Sequence, residues 1–335
     1  MRVVIPVGSL HIGGGCKVLV QIANALADRG HDTEVVCPQG EPVAYELRAK
    51  LTFVPYLAPQ YIPDGDIVLT NFYTTFRPSF EAWPEHCVRL SLGFEPYWVS
   101  DREGALWTYA QGVPIISISH WLDEVIYSHV GQRSHVVNVG VDPQIFHPGA
   151  RMERRSGRRR RILYIARDPQ MGYELKGYND FVAAMQIVAS QYEGKCKVYM
   201  ICPERILPLP GIHHRAVRPR DDEEMAHLYR ASDVFVSTSW FEGFAIPPLE
   251  AMACGTPVVT TDSGGVLDFC THGSTAYVVP PKDPALIAQG ILAVLTSGKL
   301  AAALRAGGLE RAAHLTSEQF EKNIVELLEH LANSR

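Results

Sequence analysis

The sequence predicts an α/β protein made of two doubly wound, Rossmann-like domains, and three observations predict it. The first is length: 335 residues exceed one ordinary domain and suit two. The second is the opening β-loop-α-β pattern of residues 2–37, the start of a doubly wound sheet. The third is the stretch 234–267, which reads as strand, acidic Gly loop, helix, strand and second Gly loop. In an open parallel sheet both of those loops fall at the carboxyl ends of strands, where ligands bind.

Residues 2–7 form the first predicted strand, and Gly13, Gly14 and Gly15 a loop before a helix. Val18, Ile22 and Leu26 recur at helical spacing, Gly30 closes that helix, and residues 33–37 form the next strand. The loop lacks the G-x-G-x-x-G spacing of dinucleotide sites, which argues against a dehydrogenase. Taken by itself it is either a tight turn or a place where backbone approaches a ligand. Short strands follow within 51–70 and at 89–92, 113–119 and 136–139. Asp64-Gly65-Asp66 reads as a solvated turn into a strand and not as a metal site. Residues 151–161, RMERRSGRRRR, are the sharpest composition shift in the chain. They read as an exposed linker, with contact to anionic lipid headgroups as the competing reading.

The second domain begins with a strand at 162–166, followed by the loop RDPQMGYELKG and a helix from Tyr178. A strand at 197–202 follows, and Asp221 starts a helix over 223–230. After the strand at 234–237 comes the Trp-Phe-Glu-Gly-Phe loop holding Glu242. Pro247 and Pro248 suit a first helical turn, where a missing N–H costs nothing. Gly255 and Pro257 end that helix, residues 258–261 form a strand, and Gly264-Gly265 open a loop. The tail, 317–332, is amphipathic, with Phe320, Ile324, Leu327, Leu328 and Leu331 on one face. The predicted divisions are therefore 1–150, a linker at 151–161, 162–316, and a terminal helix at 317–335.

Chemistry concentrates in the 239–267 stretch. Glu242 in a Gly loop suits a two-bonded grip on sugar hydroxyls, because a bare buried carboxylate is costly. Glu250 is placed in the first helical turn, where the macrodipole favours an acid, and read alone it is a helix-start acid. Free N–H groups at that helix start suit a diphosphate. A nucleotide carrying a sugar on its diphosphate fits these parts together.

Glu-Gly-Phe followed by Pro-Leu-Glu-Ala-Met-Ala-Cys-Gly-Thr-Pro-Val-Val closely resembles the retaining glycosyltransferases of family 4, which have the GT-B fold. The resemblance implies two Rossmann-like domains facing each other across a cleft, with the last helix returning to the first domain. It also implies that Glu242 contacts donor-sugar hydroxyls, that Gly243, Phe244, Ala245 and Ile246 line the donor, and that Glu250 binds the ribose. Arg167 and Lys176 take the places of the cations that neutralise the donor diphosphate, and the Gly14-Gly15 loop faces the diphosphate and acceptor. Gly140-Val141-Asp142 with Phe146 and Pro148 is similar to the signature that ends the family's first domain, although Val139 separates Asn138 from Gly140. Glu95 stands near a position where many members carry a histidine, and it and His120 are acceptor-side candidates. The Phe-Glu-Pro-Tyr phrase at 94–97 resembles a branch that includes bacterial rhamnosyltransferases.

The implied chemistry is front-face transfer without a metal, through an oxocarbenium-like transition state, with fixed cations stabilising the departing diphosphate and domain closure expelling water. No cofactor is implied beyond the nucleotide-sugar co-substrate, whether UDP, GDP or dTDP. The acceptor is a glycan, a lipid-linked glycan or a small molecule. A net charge of −5 argues against a general nucleic-acid binder, and no run reaches the length of a membrane span. Seven scattered cysteines, never Cys-x-x-Cys, predict reduced thiols in a cytoplasmic setting and no zinc site. A nucleotide-sugar epimerase or hydrolase on the same fold, and a silent nucleotide-sugar binder, are the competing functions. A phosphorylase with pyridoxal phosphate is disfavoured by chain length.

Overall fold

The computed structural model describes residues 1–149 and 159–334. It divides into two compact units, Met1–Val139 with Glu318–Arg335, and Gly140–Ser317.

The first unit runs β1 (Arg2–Pro6), α1 (Gly14–Asp28), β2 (Asp32–Pro38), β3 (Lys50–Val54), β4 (Ile67–Thr70), α2 (Tyr73–Ala82), β5 (Cys87–Ser91), α3 (Arg102–Trp107), β6 (Ile115–Ser117), α4 (His120–Val130) and β7 (His135–Val136). Among the described residues its sheet has seven strands in the order β3-β2-β1-β4-β5-β6-β7. Every pairing is parallel. The central strands are buried on both faces and so read as apolar runs: Val3, Val4 and Ile5 are fully buried.

The second unit runs β8 (Arg160–Ile165), α5 (Tyr178–Gln191), β9 (Cys196–Ile201), β10 (His214–Val217), α6 (Asp222–Arg230), β11 (Val234–Ser237), α7 (Ile246–Ala253), β12 (Val258–Thr261), β13 (Tyr277–Val279), α8 (Pro284–Thr296) and α9 (Gly298–Ala312). Its parallel sheet has the order β10-β9-β8-β11-β12-β13. The strand at β13 and the helices α8 and α9 were not anticipated, because residues 270–316 carry no sharp motif. Their apolar positions Ile287, Ile291, Val294 and Leu304 lie in this unit's core.

The last helix, α10 (Ser317–Asn333), buries Phe320, Ile324, Val325, Leu328 and Leu331. From Glu318 onward it belongs to the first unit. There Glu329 pairs with His31 at 2.9 Å and Glu321 accepts from Gln21 at 2.8 Å. The chain enters and leaves the second unit side by side. Val141 N–H donates to Leu315 O at 3.0 Å and Ser317 N–H to Val141 O at 2.9 Å. A Cβ on Gly140 would lie 2.1 Å from Thr316 O, so the Gly of the Gly-Val-Asp signature is there to let two backbones touch.

The Arg-rich run is corrected at its end. Residues 151–158, most of the predicted linker, lie outside the described residues. Arg160 and Arg161 are strand residues of β8. Asp233 accepts from the Arg160 side chain at 3.0 Å and from Arg161 N–H at 2.8 Å, which ties the start of β8 to the residue just before β11.

Candidate functional site

In the second sheet the strand order reverses between β8 and β11, and in open α/β sheets ligands bind outside the carboxyl ends at such a point. The loops leaving these two strands carry Arg167, Lys176 and Glu242. Gly177 explains how the loops meet. Its φ is +66°, and a Cβ there would sit 1.9 Å from Thr238 O, so the end of the first loop lies directly on the end of β11. Thr238 Oγ1 donates to Gly177 O at 2.8 Å, Trp240 N–H to Leu175 O at 2.7 Å, and Trp240 Nε1 to Asp180 at 2.5 Å.

This stitching brings Lys176 Nζ within 2.7 Å of Glu242 Oε1, and Ser239 Oγ donates to the same oxygen at 2.7 Å. Among the described residues Glu242 Oε2 has no partner. Lys176 is about one-third exposed and Glu242 about one-fifth (32% and 18%), so the pair is open to a ligand. The second Gly loop clamps the backbone below. Glu242 N–H donates to Ser263 O at 2.7 Å, and Gly265 N–H donates to Glu242 O at 3.0 Å. Gly265 is required there, since its Cβ would lie 1.9 Å from Gly243 O. Ser263 Oγ, buried in this clamp, has no hydrogen-bond partner among the described residues.

Ala245 caps α7 in the left-handed region at φ 71°, a conformation that costs a non-glycine residue about 1–2 kcal/mol. Strain of this kind clusters at ligand sites. The N–H groups of Gly243, Phe244, Ala245 and Ile246 take no acceptor among the described residues, which leaves a row of donors at a helix start. Phe244 is buried against Phe269, with ring centroids 5.2 Å apart, and anchors the row. The placement of Glu250 is corrected: α7 starts at Ile246, so Glu250 lies beyond the first turn, with no acidic residue there. What holds it is Tyr229, whose hydroxyl donates to Glu250 Oε2 at 2.9 Å. Burial, together with that carboxylate, pushes the Tyr229 phenol well up.

Arg167 follows β8 and is held twice. Its Nε donates to Glu204 Oε1 at 2.6 Å, and its guanidinium stacks 3.6 Å from the centre of the Tyr173 ring. Glu204 Oε2 accepts from Asp168 N–H at 3.3 Å. Asp168, buried, pairs with Arg205 and accepts from Gln170 N–H at 3.0 Å. The Arg205 contact holds the Asp168 carboxyl below its ordinary range. Sequence reasoning missed Glu204, Tyr173, Ser239 and Tyr229. The Pro-Glu-Arg phrase just after a predicted strand was the one available signal for Glu204.

The remaining candidates lie in the first unit. Gly14 and Gly15 are exposed and are the first residues of α1, where a loop was expected. The capping residue is Gly13, fixed by Tyr45, whose hydroxyl accepts from Gly13 N–H at 2.9 Å and donates to Gly13 O at 3.0 Å. Asn71 Nδ2 donates to Pro6 O at 2.8 Å, joining the strand ends where this sheet also reverses. His120 is exposed at the start of α4, which Ser119 caps at 3.1 Å from Leu122 N–H. Glu95 is corrected from an acceptor-side group to a buried structural one. It is 2% exposed, and its two oxygens are taken by the Arg89 guanidinium and the Tyr109 hydroxyl. Asp64 and Asp66 serve Arg2, accepting from its Nε through the Asp64 carbonyl at 2.8 Å and from its backbone N–H at 2.6 Å. Among the described residues no single helix is long and apolar enough to cross a membrane.

Comparison with known proteins bears on the second unit first. Residues 209–311 match the model of the glycosyl transferases group 1 family. The chain is 29% identical over 383 residues to D-inositol 3-phosphate glycosyltransferase of Thermobispora bispora, covering 91% of this chain and 87% of that one. It is 27% identical to D-inositol 3-phosphate glycosyltransferase 1 of Catenulispora acidiphila over 65% of its length, and spans 66% of that relative. Anabaena HepE, solved in complex with UDP-glucose, superposes with a TM-score of 0.80 at 17% identity, covering 98% of this chain and all of the other. The two parallel-sheet α/β domains match those of GT-B glycosyltransferases.

Proposed function

We propose that this glycosyl transferase of group 1 moves a hexosyl-type sugar from a nucleoside-diphosphate sugar to an acceptor hydroxyl, retaining the anomeric configuration and needing no metal. One observation carries the reading: the loops at the switch point of the second sheet supply two cations, a carboxylate with an unspent oxygen and a helix start with unspent N–H groups. Those three kinds of group match a diphosphate and a sugar. HepE, of the same fold, binds UDP-glucose, which supports a nucleotide-sugar donor.

In this mechanism the unspent N–H groups of 243–246 hold the diphosphate. Arg167 and Lys176 neutralise the charge that develops as the glycosidic C–O bond breaks, the work a metal does in other transferases. Glu242 turns Oε2 to a donor-sugar hydroxyl and fixes the ring, and Glu250 receives the ribose. The acceptor oxygen attacks from the face the leaving group departs, and its proton passes to the departing phosphate oxygen, so no side-chain base is needed. We assign the donor mainly to the second unit and the acceptor to the first, where His120 remains the acceptor-side candidate; Gly14 and Gly15 keep the donor-binding role that the resemblance implies. The Phe-Glu-Pro-Tyr phrase favours a bacterial surface glycan as acceptor, and seven free thiols fit a cytoplasmic setting.

A thermal-shift screen against UDP, GDP, dTDP and ADP and their common sugars, with and without EDTA, tests the donor. One nucleotide raises the midpoint by mass action, and EDTA leaves the rise unchanged. The anomeric configuration of the product, read by NMR, tests retention. Folded protein that answers to no nucleotide overturns the reading.

A further inference from the structure

We infer that Glu204 is a positioning residue, fixing the Arg167 guanidinium so that its two terminal nitrogens are presented to the leaving diphosphate. The inference rests on the reading of Arg167 as a diphosphate contact. Its structural basis is a division of labour on one side chain. Glu204 takes Nε at 2.6 Å and the Tyr173 ring covers one face at 3.6 Å. Among the described residues the Nη nitrogens have no hydrogen-bond acceptor. A guanidinium held by Nε and by stacking keeps the planar fork that grips a phosphate with two parallel bonds, which a flexible ammonium cannot copy.

Glu204 is itself held. Its second oxygen accepts from Asp168 N–H, and its backbone carbonyl accepts from Arg218 at 3.3 Å. Asp168 is in turn fixed by Arg205. Two loops, after β8 and β9, are thus locked around one side chain whose reactive edge is left open.

Simple Coulomb attraction predicts the opposite outcome. Removing a carboxylate from beside an anion site should tighten anion binding, whereas loss of a positioning group loosens it. UDP and UMP, with GDP and GMP in parallel, are titrated by calorimetry into wild type, Glu204→Ala, Glu204→Gln, Arg167→Ala and the Glu204→Ala/Arg167→Ala double variant. Glu204→Ala should weaken the diphosphate by about tenfold, the worth of one charge-assisted bond, and leave the monophosphate unchanged. Glu204→Gln, whose amide oxygen still accepts from Nε, should recover most of that loss. The double variant should bind no worse than Arg167→Ala, since Glu204 acts only through Arg167. Tighter or unchanged UDP binding by Glu204→Ala, equal loss for UMP, or additive losses in the double variant overturns the inference while leaving the donor assignment standing. Arg167→Ala that binds UDP and GDP like wild type, or wild type that binds neither, overturns the diphosphate reading and the inference with it.

Discussion

Two arginine–glutamate pairs in this chain show how differently the same chemistry is used. Arg89 and Glu95 in the first unit are 0% and 2% exposed, and every valence turns inward. Arg89 donates to Leu90 O at 2.7 Å, to Thr108 Oγ1 at 3.3 Å and to Glu95, and lies 4.7 Å from the Tyr109 ring centre. Burial opposes the Arg89 charge, yet Glu95 and Tyr109 hold its pKa above the ordinary value. Burial and the neighbouring carboxylate push the Tyr109 phenol up. Arg167 and Glu204 in the second unit are 21% and 10% exposed, and the arginine keeps its terminal nitrogens unspent. A saturated pair holds a fold together; a pair with spare donors at the end of a strand is ready for a ligand. Charge content and residue type do not separate the two, and hydrogen-bond accounting does.

The largest effect expected from this contrast is on stability. Glu95→Ala leaves an uncompensated buried guanidinium and should cost about 3–5 kcal/mol, read as a lowered urea midpoint. Retention of the wild-type midpoint would break the comparison at its first half. Glu242→Ala should lower transfer by about 10²–10³-fold, the scale set by removal of one preorganised polar contact, with the melting temperature nearly unchanged. Near-normal turnover would remove Glu242 from the mechanism.

Acid sharpens the comparison further. The Arg205 contact holds Asp168 below the aspartate value of about 3.9, so its contribution is complete above that pH and is lost as pH falls through the lowered folded value. Asp168→Asn should therefore flatten the acid limb of the stability–pH profile. An unchanged limb would take Asp168 out of the acid response. The smallest effect is at Ala245. Ala245→Gly relieves a positive φ but gains freedom in the unfolded chain, so stability should change by less than about 1 kcal/mol. A loss of several kcal/mol would show that the methyl group itself packs the site.

Much of the fold was legible because parallel strands buried on both faces are written as apolar runs. Val3–Ile5 and Val234–Val236 stand out for that reason, and so does the Gly255 stop after α7, at φ 70°. Glu250 was placed in the first turn and lies just past it, because Pro247 and Pro248 do not say whether a helix begins at or before them. Glu95 was misread because its buried partner Arg89 is strand-borne and Tyr109 lies 14 residues on. Glu204 was missed because a charged residue after a strand is ordinarily solvated, and only contact with Arg167 distinguishes it.

The sequence by itself determined the local conformations and the chemical inventory: which segments are strands, where glycine must stand, and which cations and acids are available at strand ends. These are short-range matters, decided by backbone sterics and by the period of apolar side chains. Only the tertiary structure decided which of those groups meet. Lys176 and Glu242 are 66 residues apart, and they touch because β8 and β11 are neighbours where the sheet reverses its order. The close approach of Gly177 to Thr238 then fixes the register between their loops. Strand order is a property of the whole sheet, set by how all its faces are covered at once, and no window of sequence contains it.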